Sequence, residues 1–181
     1  MARAFVAVRP PEAVLDAIAA RMAGVEIAPG RPAPRDQWHL TVQFLGNQVD
    51  LDAVVHALAE EPFDVRPGRL RLAGARAFGN PRRARILALG LQEGETWMAN
   101  LAFVVGERLA PLGNTREARP YVAHLTLARF GEPSDLRAIC SAIGPEPVGD
   151  AWKSTEVVLF ESVLRRGGAE HTVRAVIPTA I

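Results

Sequence analysis

The sequence writes QWHLTVQFLG at residues 37–46 and PYVAHLTLARF at residues 120–130. Both contain His-Leu-Thr followed by an aliphatic residue: His39-Leu40-Thr41-Val42 and His124-Leu125-Thr126-Leu127. Each stretch is rich in β-formers, and the side chains of a strand alternate between two faces. His39, Thr41 and Gln43 are therefore expected on one face of the first strand, with Leu40, Val42 and Phe44 on the other. In the second, His124 and Thr126 share a face opposite Leu125 and Leu127. Each strand would bury an aliphatic side and present an imidazole beside a hydroxyl.

The surroundings repeat as well. Apolar spacing predicts a helix over 11–24, a Pro/Gly/Arg loop over 28–36, the strand 38–45, and a helix over 50–61 with Asp50 as its N-cap. The same four parts recur as a helix over 96–113, an Arg/Pro loop over 114–120, the strand 121–130, and a helix over 134–144 capped by Ser134. Further strands are expected at 3–8, 63–77, 84–91, 152–162 and 169–178, with a hairpin turn at 165–168. The pattern predicts an α+β fold with two lobes related by an approximate twofold axis. No long linker or low-complexity segment separates the lobes, so residues 1–181 read as one bilobal domain.

Composition narrows the function. Hydrophobic residues make up 49% and charged residues 23%, as in a globular chain. The formal net charge of +1 argues against coating nucleic acid through bulk charge, while leaving room for a pocket that takes one phosphate. Cys140 is the only cysteine, which excludes an internal disulfide and a Cys-rich zinc site. The short apolar run before Pro10-Pro11 falls short of a signal-peptide core, and no stretch approaches a membrane span of about 20 apolar residues. The expected location is the cytoplasm, with no membrane partner.

If the lobes face each other, two imidazoles and two hydroxyls line one cleft. Imidazole exchanges its proton near neutrality, so one histidine can activate a nucleophile while the other protonates a leaving oxygen. Threonine hydroxyls can donate to phosphoryl oxygens. The set suits phosphodiester cleavage without a metal, and two histidines with no nearby carboxylate or thiol make a poor metal site. A single His-x-Thr carries little weight, and His171-Thr172-Val173 comes close to one. The doubled motif, each copy after an Arg/Pro loop, is specific.

On these residues the chain resembles the two-histidine (2H) phosphoesterases. More closely, it resembles the bacterial and archaeal LigT-like RNA 2′,3′-cyclic phosphodiesterases, historically called 2′-5′ RNA ligases. The resemblance runs from RAFVAVRPP (3–11) through both HLT motifs and FGNPRRARILALG (78–90) to VVLFESVLRRGGAEHTV (157–173). It implies two antiparallel sheets forming a V-shaped cleft, with helices outside. It also implies opening of an RNA 2′,3′-cyclic phosphate to a 2′-phosphomonoester, with reverse 2′-5′ ligation at the same site and no metal or cofactor. His39 and His124 become the catalytic pair, with His124 as base on water and His39 as acid to the leaving oxygen. Thr41 and Thr126 become phosphate ligands. Arg129 matches an arginine that often closes the second motif, but strict alternation places it opposite His124, so it needs a bulge to reach the phosphate. The partner expected is an RNA end, including tRNA fragments, or a cyclic nucleotide, bound by a monomer. The alternatives are a 2H enzyme for small cyclic nucleotides or ADP-ribose 1″,2″-cyclic phosphate, and a non-catalytic RNA-end binding module.

Other residues carry weaker readings. His171 stands near a point where related sequences often have tyrosine; it either lines the cleft or decorates the last strand. Arg31, Arg35, Arg116 and Arg119 in the loops, and Arg82, Arg83 and Arg85, are candidate backbone contacts or solvated charge. Trp38 is expected in the core, as by default are Trp152 and Phe78. His56 and Cys140 read as structural.

Overall fold

The computed structural model describes residues 2–47, 49–61, 63, 65–114, 120–166 and 168–179. Among these residues nine strands and four α-helices follow one another: β1 (Ala2–Val8), α1 (Glu12–Met22), β2 (Arg31–Pro32), β3 (Leu40–Asn47), α2 (Leu51–Ala59), β4 (Gly68–Ala77), β5 (Ala84–Glu93), α3 (Glu95–Leu109), β6 (Leu125–Ser134), α4 (Arg137–Ile143), β7 (Pro147–Ser154), β8 (Glu156–Arg165) and β9 (Gly168–Pro178). The strand order is β7-β4-β5-β6-β3-β1-β8-β9, every neighbouring pair antiparallel, with β2 beside β6. The α+β expectation holds. The two expected sheets are two four-stranded halves of one curled sheet, joined where Leu40 pairs with Leu125.

That seam is the local twofold axis. β3 meets β6, and moving outward β1 matches β5, β8 matches β4 and β9 matches β7. The registers match too: Ala7 pairs with Thr41 and Phe5 with Phe44, while Ala88 pairs with Thr126 and Ile86 with Arg129. The convex face carries the helices over one apolar core that draws Val6, Leu15, Leu40 and Leu159 from one side and Leu72, Leu87, Leu101 and Leu125 from the other. A second, smaller cluster of Phe5, Ala7, Val158 and Phe160 lies on the opposite, concave face.

Asp50 caps α2 as expected, accepting from the backbone N–H groups of Asp52 and Ala53 at 3.1 and 3.0 Å. Ser134 does not cap α4: β6 runs on through it, its hydroxyl donates to the Glu132 carbonyl, and α4 begins at Arg137. The strand expected at 152–162 is two strands, broken at Thr155. β7 escapes sequence reading because it is an edge strand containing Pro147 and Gly149. Gly149, at φ +72°, lets α1 lie against β7; a Cβ there would stand 3.2 Å from the Ala17 Cβ. β6 begins at Leu125 rather than Tyr121 and runs on to Ser134.

Candidate active site

The antiparallel pairing of Leu40 with Leu125 sets His39 beside Thr126 and Thr41 beside His124. All four face the concave side, and all four are half-buried. The Tyr121 hydroxyl donates to the Thr41 carbonyl at 2.7 Å and ties the second motif's lead-in to the first motif's strand. His124 holds its ring by a contact of 2.9 Å between Nδ1 and the Val122 carbonyl; with the proton on Nδ1, its Nε2 carries the free lone pair. The Gln37 carbonyl bonds the His39 ring, again from two residues upstream. The site thus has two imidazoles fixed by the same local device.

Strict alternation fails after each threonine, in the same way. Register shifts leave Val42 as an extra residue between the Thr41 and Gln43 pairs, and Leu127 as an extra residue between the Thr126 and Ala128 pairs. A bulge of this kind rotates every following side chain to the other face. Gln43 is therefore buried (9% exposed), and Phe44 stands on the concave face at 57% exposed, the reverse of the alternation reading. Arg129 gains the concave face by the same bulge and is exposed, in the position that mirrors Phe44. The signal in the sequence was Leu127-Ala128, two consecutive apolar residues where alternation calls for a polar one.

The halves differ in what surrounds these shared positions. Around His39 lie rings. Its imidazole stacks on Phe5 with centroids 4.7 Å apart, Phe160 is 5.8 Å away, and His171 meets it edge-on at 5.7 Å. Around His124 the set is mixed. Phe78 tilts over it at 4.2 Å, so Phe78 belongs to the site and not to the core. Arg76 and Arg129 are near enough to disfavour its cation. Gly90 leaves room for the Arg76 guanidinium, which would meet a Cβ at 2.0 Å.

Most of the remaining candidates lie elsewhere. Arg35 is held by Glu12 and Asp16, both at 2.8 Å, on the surface of α1. Arg85 pairs with Glu132 at 3.3 Å, Arg82 and Arg83 are exposed in the β4–β5 connection, and Arg31 lies opposite Arg129 along β2. Arg116 and Arg119 lie outside the described residues, as does Gly167 of the hairpin. Trp38 is in the core and Trp152 packs against it. His56 is exposed on α2. The half-buried Cys140 thiol is pushed up by burial, away from the nucleophilic thiolate. Among the described residues no three His, Cys, Asp or Glu side chains converge on a metal position, and no helix is long and apolar enough to cross a membrane.

Comparison with known proteins places this arrangement. The model of the 2′-5′ RNA ligase superfamily matches residues 9–165, a span that includes both HLT motifs. The chain belongs to that superfamily. It is 30% identical to the RNA 2′,3′-cyclic phosphodiesterase of Escherichia coli K12 over 149 residues, covering 79% of this chain and 76% of that protein. It is also 30% identical to the RNA 2′,3′-cyclic phosphodiesterase of Thermus thermophilus over 185 residues, covering 94% and 87%. A crystal structure of a Thermus thermophilus protein superposes with a TM-score of 0.79 at 25% identity over 98% of both chains. Escherichia coli LigT in complex with 3′-AMP shares the fold, with a TM-score of 0.78 at 24% identity over 97% of both chains.

In this superfamily member the electrostatics of the cleft favour an incoming anion. Burial, then the charge of His171, and then Arg129 and His124 push the His39 imidazole down to about 4, against the pull of the Gln37 carbonyl. Burial lowers His124 first, with Arg129 and Arg76 adding to it. His171 is lowered by burial and by Arg129, with Asp36 opposing. All three rings are neutral in the free protein near pH 7. On acidification the unfolded chain takes up these protons from about pH 6.5, and the folded chain resists. Stability is therefore expected to fall between about pH 6.5 and 4. His39 accounts for roughly 2 kcal/mol of that loss after allowance for its partial solvent contact. Urea unfolding at pH 7 and pH 4 will show a smaller loss in His39→Phe than in the parent; equal losses would contradict the assignment.

Proposed function

We propose that this protein, as one bilobal domain, hydrolyses RNA 2′,3′-cyclic phosphate ends to 2′-phosphomonoesters by acid–base catalysis between His39 and His124. The observation that carries this reading is the seam: one residue pair, Leu40–Leu125, brings two imidazoles and two threonine hydroxyls together about a local twofold axis. Relatives named RNA 2′,3′-cyclic phosphodiesterase support the substrate class. Thr41, Thr126 and Arg129 hold the non-bridging phosphoryl oxygens and take up charge as it builds there. A water oxygen bonds to phosphorus in line with the P–O3′ bond, which breaks. One imidazole takes the water's proton, and the other gives a proton to O3′.

Phe44, exposed beside the buried Phe5, supplies an apolar surface on the His39 side, suited to a nucleoside face. A nucleoside there places its O3′ toward His39 and leaves the water side to His124. His39 is then the acid and His124 the base. The bound phosphate supplies the proton affinity that His39 lacks in the free protein. An anion about 4 Å away at an effective dielectric near 20 contributes about 4 kcal/mol, roughly three pKa units. A 5′-hydroxyl in place of the water opens the same ring, again breaking the P–O3′ bond, and leaves a 2′-5′ linkage.

The test is turnover with EDTA present, comparing a short RNA ending in 2′,3′-cyclic phosphate with 2′,3′-cyclic mononucleotides and ADP-ribose 1″,2″-cyclic phosphate. RNA is expected to be opened with the highest kcat/KM. Preference for a small cyclic phosphate would move the substrate class, and tight binding of phosphorylated RNA ends with no turnover would make the protein a binding module.

A further inference from the structure

The resemblance assigns no role to the third imidazole of the cleft. His171 sits on β9, three strands from His39 along the sheet, yet the curl brings the rings together at 5.7 Å with planes 77° apart. Both rings touch Phe5: His39 lies flat on it, and His171 stands edge-on to it at 5.0 Å. Phe160 backs the pair, 5.8 Å from one ring and 6.4 Å from the other. Cross-strand pairing with Ser162 fixes where His171 sits. The Gln37 side chain, two residues before His39, donates to the Ala169 carbonyl, two residues before His171. Lead-in is thus bonded to lead-in. The His171 Nδ1 is buried without a well-formed hydrogen bond.

We infer that His171 is a positioning residue for His39: its ring edge fixes the plane of the His39 imidazole, and the two rings share one desolvated corner that accommodates a single proton. The reason is chemical. Phe5 and Phe160 supply no hydrogen-bond acceptor, so two imidazolium rings in contact would repel each other with little solvent between them. The groups facing His171 are few: His39 before β3, Asp36 in the turn Arg35–Gln37, Arg129 from β6, and the Glu170 carbonyl on its own strand. Asp36 and the carbonyl favour a proton on His171, while Arg129 opposes one. On acidification a proton on His171 therefore holds His39 neutral, and an anion bound at Arg129 and the threonines offsets that hold. Protonation of the acid is thereby coupled to occupation of the site.

The inference rests on the acid–base reading of His39 for its catalytic consequence, but not for the pairing itself. The experiment is an imidazole NMR titration of the parent, His171→Phe and His171→Gln, with the pH dependence of kcat/KM for ring opening measured on the same proteins. Phenylalanine keeps the edge contact and glutamine keeps a neutral polar group, so agreement between them separates charge from solvation. In both, the His39 resonances are expected to titrate at a pH higher by about half a unit or more. The limb of the rate profile that His39 sets is expected to move the same way, and the rate at the optimum to fall further in His171→Gln, which lacks the ring edge, than in His171→Phe, which keeps it. A His39 titration unchanged in both variants overturns the pairing. A shifted titration in a protein that opens no cyclic phosphate keeps the pairing and removes only the proposed function.

Discussion

His39→Ala and His124→Ala will each lower kcat/KM for opening of a 2′,3′-cyclic phosphate by about 10³-fold, within the range typical of a lost general acid or base. The double variant is expected to fall little further, because the two rings act on one phosphorus and neither works without the other. The effect will be chemical and not structural: both rings are half-buried on the concave face, outside the main apolar core. Fluorescence or calorimetry of the same proteins will show folded chains, with acid stability improved in His39→Ala through loss of the group that resists protonation. Strictly multiplicative losses in the double variant would mean that the two histidines serve separate steps.

Arg129→Ala is expected to cost about 10²-fold in kcat/KM, the scale seen when one donor to a developing oxyanion is removed. Among the described residues no carboxylate pairs with this guanidinium, and its charge acts on His39, His124 and His171 at once. In the proposed reaction a phosphate supplies the missing counter-charge. Arg129→Lys keeps the charge but loses the two-pronged geometry, so it should recover only part of the rate. The alanine variant also removes a cation that disfavours all three imidazolium forms, and the histidine titrations should move to higher pH together. An activity loss without that shared movement would place Arg129 outside the cleft and contradict the bulge that brings it in.

Much of the site was legible because two-residue alternation is a local property. His39 and Thr41, and His124 and Thr126, fall together whatever strand lies beside them. The bulges were not legible in the same way, since an extra residue exists only relative to the register of β1 or β5. Gln43 and Phe44 changed places for that reason, and Arg129 came to the concave face. His171 is a stronger case. Its contact with His39 depends on β9 pairing with β8, β8 with β1, and the sheet curling over three strands. Phe78 was hidden similarly: an aromatic at the end of β4 reads as core until the β4–β5 register sets it over His124. β7 failed on composition, because Pro147 and Gly149 mark a turn in sequence and an edge strand in space.

The central claim is that the HLT motif occurs twice because one phosphate needs an acid on one side and a base on the other. The most direct measurement is ³¹P NMR of an oligonucleotide ending in 2′,3′-cyclic phosphate, incubated with EDTA and the parent protein, His39→Ala or His124→Ala. The account predicts that the parent converts the cyclic signal into a 2′-phosphomonoester alone, and that both variants leave the ring closed over the same period. A 3′-phosphomonoester, or opening that persists in either variant, would contradict it.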